Sequence, residues 1–313
     1  MGMTLDLYRA NPLDRARTWN DLGAEERRRR AVVAARDKDK EALWSLTEAY
    51  LVLNGASGTG VSSQTLKTYR WAINRFLNYA GEQAFGLLSP ATGDGVRFIR
   101  TVEAGGLSPA STRVQLAGVR LFYSALRWAE ATQAAPFADV KPVRDKTAAW
   151  DKRSPYREEE VTALLEQADL RMKALLLLCA HGGLRISEAL ALTWADVQLA
   201  AGELLVKSGK GGKQRRVVLG KSLIQALEGV RSEGRVIGGS YPAAVERLQR
   251  LCTRAAVPCR GYHALRHYAG TRLTQEGASL HDVARHLGHS VLETARIYAK
   301  WSDDALRRRL AGW

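Results

Sequence analysis

The chain is short of cysteine, of long apolar runs and of the loops that cradle nucleotides. Three cysteines (Cys179, Cys252, Cys259) in 313 residues form an odd, sparse set without metal-site spacing. That count argues against a disulfide-held fold and fits a reduced cytoplasm. No apolar stretch approaches the ~20 residues needed to cross a bilayer. The segment from Met1 to Asp14 carries acidic residues and lacks the apolar core of a secretion signal. A membrane partner and a secreted destination are therefore not expected. There is no internal repeat and no low-complexity tract. No Gly-x-x-x-x-Gly-Lys-Ser/Thr loop is present; Gly209-Lys-Gly-Gly-Lys is too short and lies between β-prone runs instead of ahead of a helix. A carboxylate cluster suited to two-metal chemistry is missing as well. No cofactor and no metal are expected.

What is present in excess is positive charge. There are 47 Lys and Arg against 32 Asp and Glu, a net charge of +15, with a pI near 10.0. Residues 1–145 hold 20 cations against 15 anions and residues 146–313 hold 27 against 17, so the surplus is spread over the chain. A basic tail alone would not give that distribution. Charge on folded domains suits a phosphate-tracking surface, with an anionic membrane second. A basic protein with no such role remains open on charge alone.

The pattern is mainly α, with one small β-hairpin, in two domains. Residues 1–40 read as a basic N-terminal arm, with Arg27 to Arg30 either on a solvated helix face (Ala24 to Arg36) or free until DNA is met. Residues 41–135 read as a four-helix domain. Glu41 to Asn54 is one helix. Ser62 or Ser63 caps a second, in which Leu66, Tyr69, Ile73, Phe76, Leu77 and Ala80 form one apolar stripe and Gly81 is the stop. A third spans about Thr92 to Ala104. A fourth opens at Ser108-Pro109 and runs to about Ala131, with Leu116, Val119, Phe122, Tyr123 and Leu126 inward. Lys67 and Arg70 lie off the stripe, and Arg113, Arg120 and Arg127 repeat every seven residues on another face. Lys67, Arg70, Arg113 and Arg120, with Lys213 further on, are the candidate phosphate contacts. Residues 136–153 read as a linker. Residues 154–313 form the second domain, mostly helical, with a hairpin made from Glu203 to Ser208 and Gln214 to Leu219 around a Gly-rich loop. Its last helix, Ala305 to Ala311, has an apolar face through Leu306, Leu310 and Trp313.

Four clusters in the second domain carry chemistry. They are Gly182-Gly183-Leu184-Arg185-Ile186-Ser187-Glu188, the hairpin loop with Lys210, His263-Ala264-Leu265-Arg266-His267, and Leu287-Gly288-His289-Ser290 followed nine residues later by Tyr298. Taken singly, each has an ordinary reading. Arg185 and Glu188 make an intrahelical ion pair, Lys210 is a solvated loop lysine, the histidines are satisfied in the interior, and Tyr298 is a core tyrosine. The order and spacing of all four decide otherwise.

Together these motifs resemble the tyrosine recombinase (integrase) family, in its Xer and phage or transposon integrase branch. The matching motifs run from about residue 182 to 300, and the preceding helical domain resembles the family's core-binding, SAM-like domain. The resemblance implies a two-domain fold of helical core-binding domain plus mixed, mostly helical catalytic domain. It implies a site-specific recombinase that cuts and rejoins DNA through a 3′-phosphotyrosyl intermediate and a Holliday junction, with type IB topoisomerase-like chemistry. The uses implied are DNA integration and excision or chromosome and plasmid dimer resolution. The implied partners are double-stranded DNA and further copies of the chain, a tetramer on paired sites and a monomer or weak dimer when free. An accessory protein or partner recombinase and a nucleoid-associated cytoplasmic location complete the picture.

The residue chemistry agrees. Two arginines, Arg185 and Arg266, can each give paired donors to the oxygens of a phosphodiester that gains charge in the transition state. A tyrosine of pKa about 10 is only ~0.1% ionised at pH 7, so Tyr298 needs a proton acceptor, and the family resemblance assigns this to His263. Lys210 is the candidate acid for the 5′-oxygen. His289 is the candidate phosphate ligand. Glu188 and His267 are read as supporting residues, Glu188 holding Arg185 or His263 in register. Activity in EDTA is expected. Two departures from the family pattern stand out: the stretch from Lys210 to His263 is short, and glycine occupies position 182 where threonine or serine is common. A non-catalytic DNA-binding module and a relaxing topoisomerase are the competing readings.

Overall fold

A computed structural model describes residues 11–145, 147, 154–207, 214–295, 297, 298, 301 and 311. The chain divides into two compact units, residues 1–146 and 147–313.

The α-helices of unit 1's described part are α1 (Pro12–Asn20), α2 (Ala24–Asp37), α3 (Lys40–Asn54), α4 (Ser63–Glu82), α5 (Asp94–Ala104) and α6 (Pro109–Trp128), and no strand occurs among its described residues. Short polar side chains begin four of them. Asn11, Asp39, Ser62 and Ser108 each accept a backbone N–H of the first turn that has no carbonyl partner within its helix. The core is aromatic. The Phe76 ring packs edge-on to Phe85, Phe98, Phe122 and Phe137, an arrangement that ring quadrupoles favour.

Three boundaries differ from the sequence reading. The described part of the supposed arm is built into the core: Ala16, Trp19, Ala31, Ala34 and Ala35 are all buried. Alanines at 31, 34 and 35 share one face and let α2 lie close on α3, while the charged residues of α2 stand on its other faces. Arg27, inside the basic run, stacks its guanidinium 4.7 Å over Trp128. Similarly, the start of the supposed linker belongs to unit 1, because Phe137 and Val140 are buried in the same core. Gly81 lies inside α4, and the chain leaves two residues beyond Glu82 through Ala84 in a left-handed conformation. Burial of Phe85 against Phe76 sets that exit.

Unit 2 contains α7 (Glu158–Gln167), α8 (Leu170–Ala180), α9 (Ile186–Ala191), β1 (Val197–Gln198), β2 (Glu203–Val206), β3 (Arg215–Val218), α10 (Lys221–Glu228), α11 (Tyr241–Arg254), α12 (Gly261–Gln275) and α13 (Leu280–Leu287). Residues 291–295, 297 and 298 are helical. The sheet is antiparallel in the order β1-β2-β3, with Leu204 opposite Val217, both buried. The expected hairpin is therefore two strands of a three-stranded sheet. Helix α8 is apolar nearly all round, with Ala174 through Ala180 buried, as a central helix must be. It packs against α10 and α12. Burial of α12 is almost as complete, which places the residues it carries at the middle of the unit. No described helix is long and apolar enough to cross a membrane.

Candidate active site

The site starts where α8 stops. The chain turns through Gly182 and Gly183, the latter at φ +63°, and a side chain on Gly183 would lie 2.5 Å from Leu287. Only glycine permits both this conformation and the close approach of the end of α13. Arg185 follows, just ahead of α9. Its backbone N–H donates to Glu188 Oε2 at 2.8 Å and its Nη1 donates to Glu188 Oε1 at 2.8 Å. The Glu188 carboxylate is thus fixed by the residue three positions before it.

A second arginine grips the same carboxylate from the sheet. Arg215, at the start of β3, donates Nη1 to Glu188 Oε1 at 3.0 Å and Nη2 to Oε2 at 2.7 Å. Its Nε donates to the His286 carbonyl at 3.1 Å. Burial alone would raise the Glu188 pKa. The hydrogen bonds from Arg215 and from Arg185 outweigh it and hold the carboxyl at about 2.

Arg266, from α12, is the third cation and is 1% exposed. Nη1 donates to the Gly183 carbonyl and Nη2 to the Leu287 carbonyl, each at 2.6 Å. Glu188 lies 3.8 Å away. Burial, and then repulsion from Arg185, lower the Arg266 pKa to about 10, so it stays charged at neutral pH. Nη2 also approaches His289 Nε2 at 2.7 Å. A guanidinium has no lone pair to offer, so Nε2 is the acceptor and the neutral His289 ring carries its hydrogen on Nδ1. Burial, reinforced by Arg266 and Arg185, depresses the His289 pKa to about 3, which keeps the ring neutral. Arg266 Nε and His289 Nδ1 are both buried without a hydrogen-bond partner. Both are donors, and buried donors call for an acceptor.

Tyr298 is fully buried. Its ring lies on Gly270 of α12, where a Cβ would stand 2.4 Å from the phenol ring carbon. The hydroxyl is 3.2 Å from His267 Nδ1. His263, one turn earlier on α12, is exposed and meets the His267 ring edge-on at 4.6 Å. The histidine on the tyrosine hydroxyl is therefore His267, the one expected only to support, and His263 instead borders a cleft of about 900 Å³ shared with Arg185. Helical periodicity explains the placement: His263, His267 and Gly270 stand at i, i+4 and i+7 on one face of α12, which sets His267 beside the ring that lies on Gly270. Burial raises the Tyr298 pKa against the opposing pull of Arg266.

The model of the phage integrase family matches residues 156–304, and that of the phage integrase N-terminal SAM-like domain matches residues 56–130. Tyrosine recombinase XerD of Mycobacterium tuberculosis (strain CDC 1551 / Oshkosh) is 30% identical over 290 residues, covering 81% of this chain and 92% of XerD. This chain belongs to the tyrosine recombinase family. It is a DNA-cleaving and rejoining enzyme of site-specific recombination. TnP I resolvase of Bacillus thuringiensis is 29% identical over 163 residues, covering 47% of this chain and 56% of the resolvase. In fold, this recombinase resembles the Tn1549 transposon integrase solved in complex with circular intermediate DNA. That likeness has a TM-score of 0.64 at 18% identity, over 86% of this chain and 98% of the integrase.

Unit 2 of this recombinase brings together Arg185, Glu188, Arg266, His267, His289 and Tyr298, with His263 at the rim. Lys210 and Lys213 lie outside the described residues. Arg215 was missed by sequence reasoning, although a signal exists: it shares the inward face of β3 with buried Val217, and an arginine there needs an internal anion.

The candidate DNA contacts of unit 1 divide. Lys67 is exposed. Arg113 is exposed and reaches Asp145 at 3.9 Å. Arg70 pairs with Glu41. Arg120 is exposed, and its guanidinium donates to the carbonyls of Phe137, Ala138 and Val140 at 2.8–2.9 Å, which pins the 137–140 segment. Arg127 serves in the same way, donating to the Ala134 carbonyl.

Proposed function

We propose that Tyr298 is the nucleophile and that the scissile phosphate is gripped by Arg185, Arg266 and His289. The observation that carries this reading is the pair of unspent buried donors, Arg266 Nε–H and His289 Nδ1–H, beside an arginine triad that holds only one carboxylate. An anion with several oxygens satisfies both donors and offsets the surplus positive charge. Tyr298 Oη attacks phosphorus, forming a 3′-phosphotyrosyl bond and breaking the bond to the 5′-oxygen. Its proton passes to His263, which borders the cleft, while His267 holds the hydroxyl beforehand. The 5′-oxygen takes a proton from Lys210. Attack by the 5′-hydroxyl of a partner strand reverses these steps and yields a Holliday junction. The phosphotyrosyl bond conserves the energy of the broken diester, so no nucleotide is consumed.

The substrate is double-stranded DNA, and four protomers on two paired sites carry out the exchange common to integration, excision and dimer resolution. Lys67 and Arg113 contact the backbone from unit 1, and Lys213 does so from the hairpin loop. The setting is the cytoplasm, at the nucleoid. The test is covalent trapping: wild type and Tyr298→Phe are incubated with fragmented host DNA in EDTA, quenched in detergent, and the protein-linked DNA is sequenced. Adducts from wild type alone, gathered at a few sequences, are expected. Adducts from neither protein, with both still shifting DNA in a gel, would overturn the covalent reading.

A further inference from the structure

We infer that Arg215 is a positioning residue for the cleavage step. The inference rests on the proposed function and extends it to a side chain that does not touch the phosphate. All three guanidinium nitrogens of Arg215 are engaged with the protein, two on Glu188 and one on the His286 carbonyl, and the side chain is 8% exposed. It therefore acts through what it holds.

Two groups are held. One is the Glu188 carboxylate, whose other bonds go to Arg185; the planar fork of Arg215 fixes both carboxylate oxygens and hence the Arg185 guanidinium. The other is the 286–288 turn. His286 gives its carbonyl to Arg215, Leu287 gives its carbonyl to Arg266, and His289 follows. At Gly288, a Cβ would lie 2.9 Å from Arg215 Cδ, so glycine admits the arginine stem beside the turn that presents His289. Arg215 thus ties β3, the start of α9 and the end of α13 into one frame around the two unspent donors. A lysine would keep the charge but could not span two carboxylate oxygens and a carbonyl in one plane.

The frame predicts a signature that ordinary loss of stability does not share. Positioning errors of about 1 Å can cost roughly 10²-fold in rate. That cost falls on stabilisation of phosphate charge, so it should vanish when the charge is removed. Arg215→Met and Arg215→Lys, as full-length proteins, are assayed for single-turnover cleavage of duplexes bearing the site recovered by trapping. The scissile position is either the normal phosphate or a methylphosphonate, in which a methyl group replaces a charged oxygen. On phosphate, Arg215→Met should lose roughly 10²-fold and Arg215→Lys should recover part of the loss. On methylphosphonate both variants should approach wild type. Wild-type rates on phosphate, or equal losses on the two substrates, would overturn the inference. If Arg215→Met does not fold by circular dichroism, Arg215→Lys gives the same phosphate-to-methylphosphonate comparison. A wild type that forms no adduct would instead remove the proposed function itself, a different result from an active wild type beside unaffected variants.

Discussion

Arginines close loops through backbone carbonyls in both units, but only in unit 2 do three of them also converge on one carboxylate. In unit 1, Arg120 and Arg127 spend their donors on backbone carbonyls, and Arg15 spends its own on Glu48 at 2.7 Å. The guanidinium there substitutes for missing secondary structure, closing loops that have carbonyls to satisfy. In unit 2, Arg185, Arg215 and Arg266 surround one carboxylate and leave donors over. Three positive charges against one is a poor way to stabilise a fold, since burial of ions costs more than partial pairing returns. Such an arrangement makes sense as preorganisation for an anion that arrives later.

The largest expected effect breaks this contrast at Arg266. Arg266→Gln should reduce single-turnover cleavage by ~10³–10⁵-fold, with DNA affinity in a gel shift little changed. A loss of ten-fold or less would mean that the buried guanidinium supports structure alone. Glu188→Ala comes next. Removing the shared anion leaves the cations uncompensated and should lower the stability of unit 2 by about 3–5 kcal/mol in urea unfolding. Arg120→Ala in unit 1, which takes a donor from three carbonyls, should cost about 1–3 kcal/mol and leave the salt dependence of DNA binding unchanged. By contrast, Lys67→Ala and Arg113→Ala should each reduce the salt slope by about 1 with little change in stability. If Arg120→Ala lowers the slope as well, its assignment to the fold is wrong.

A pH series sharpens the same comparison. Burial lowers the pKa of His181, with Arg272 adding to it, and of His286 and His289. The folded unit therefore keeps these rings neutral where the unfolded chain protonates them. Stability is fully present above the unfolded histidine value of about 6.5 and is lost as pH falls below it, continuing towards about 3 for His289. Unit 2 should show a falling urea midpoint from pH 7 to pH 5, and His289→Gln should make that fall shallower. An unchanged slope in the variant would argue that the ring titrates in the fold as it does in the unfolded chain.

Much of this was legible in the sequence for physical reasons. Apolar spacing and side-chain caps located α3 to α6, because Ser62 and Ser108 announce helix starts and Phe76, Leu77 and Ala80 announce a buried face. Motif order located Arg185, Arg266, His289 and Tyr298. What was hidden depends on contacts distant along the chain. The packing of α2 was hidden because alanines at 31, 34 and 35 are weak hydrophobic signals beneath a run of arginines. The role of Arg120 was hidden because a carbonyl acceptor has no sequence signature. The contact of His267 with the Tyr298 hydroxyl was hidden because it depends on Gly270, whose missing side chain makes room for the phenol ring. Arg215 could be found only by treating an inward arginine on a strand as a demand for an anion.

In the proposed function one tyrosine among ten, Tyr298, becomes bonded to DNA. The most direct measurement is mass spectrometry of the trapped adduct after nuclease and protease digestion. A residual nucleotide mass is expected on the peptide containing Tyr298, joined through a 3′-phosphate. The same mass on any other tyrosine peptide, or a linkage through a 5′-phosphate, would contradict it.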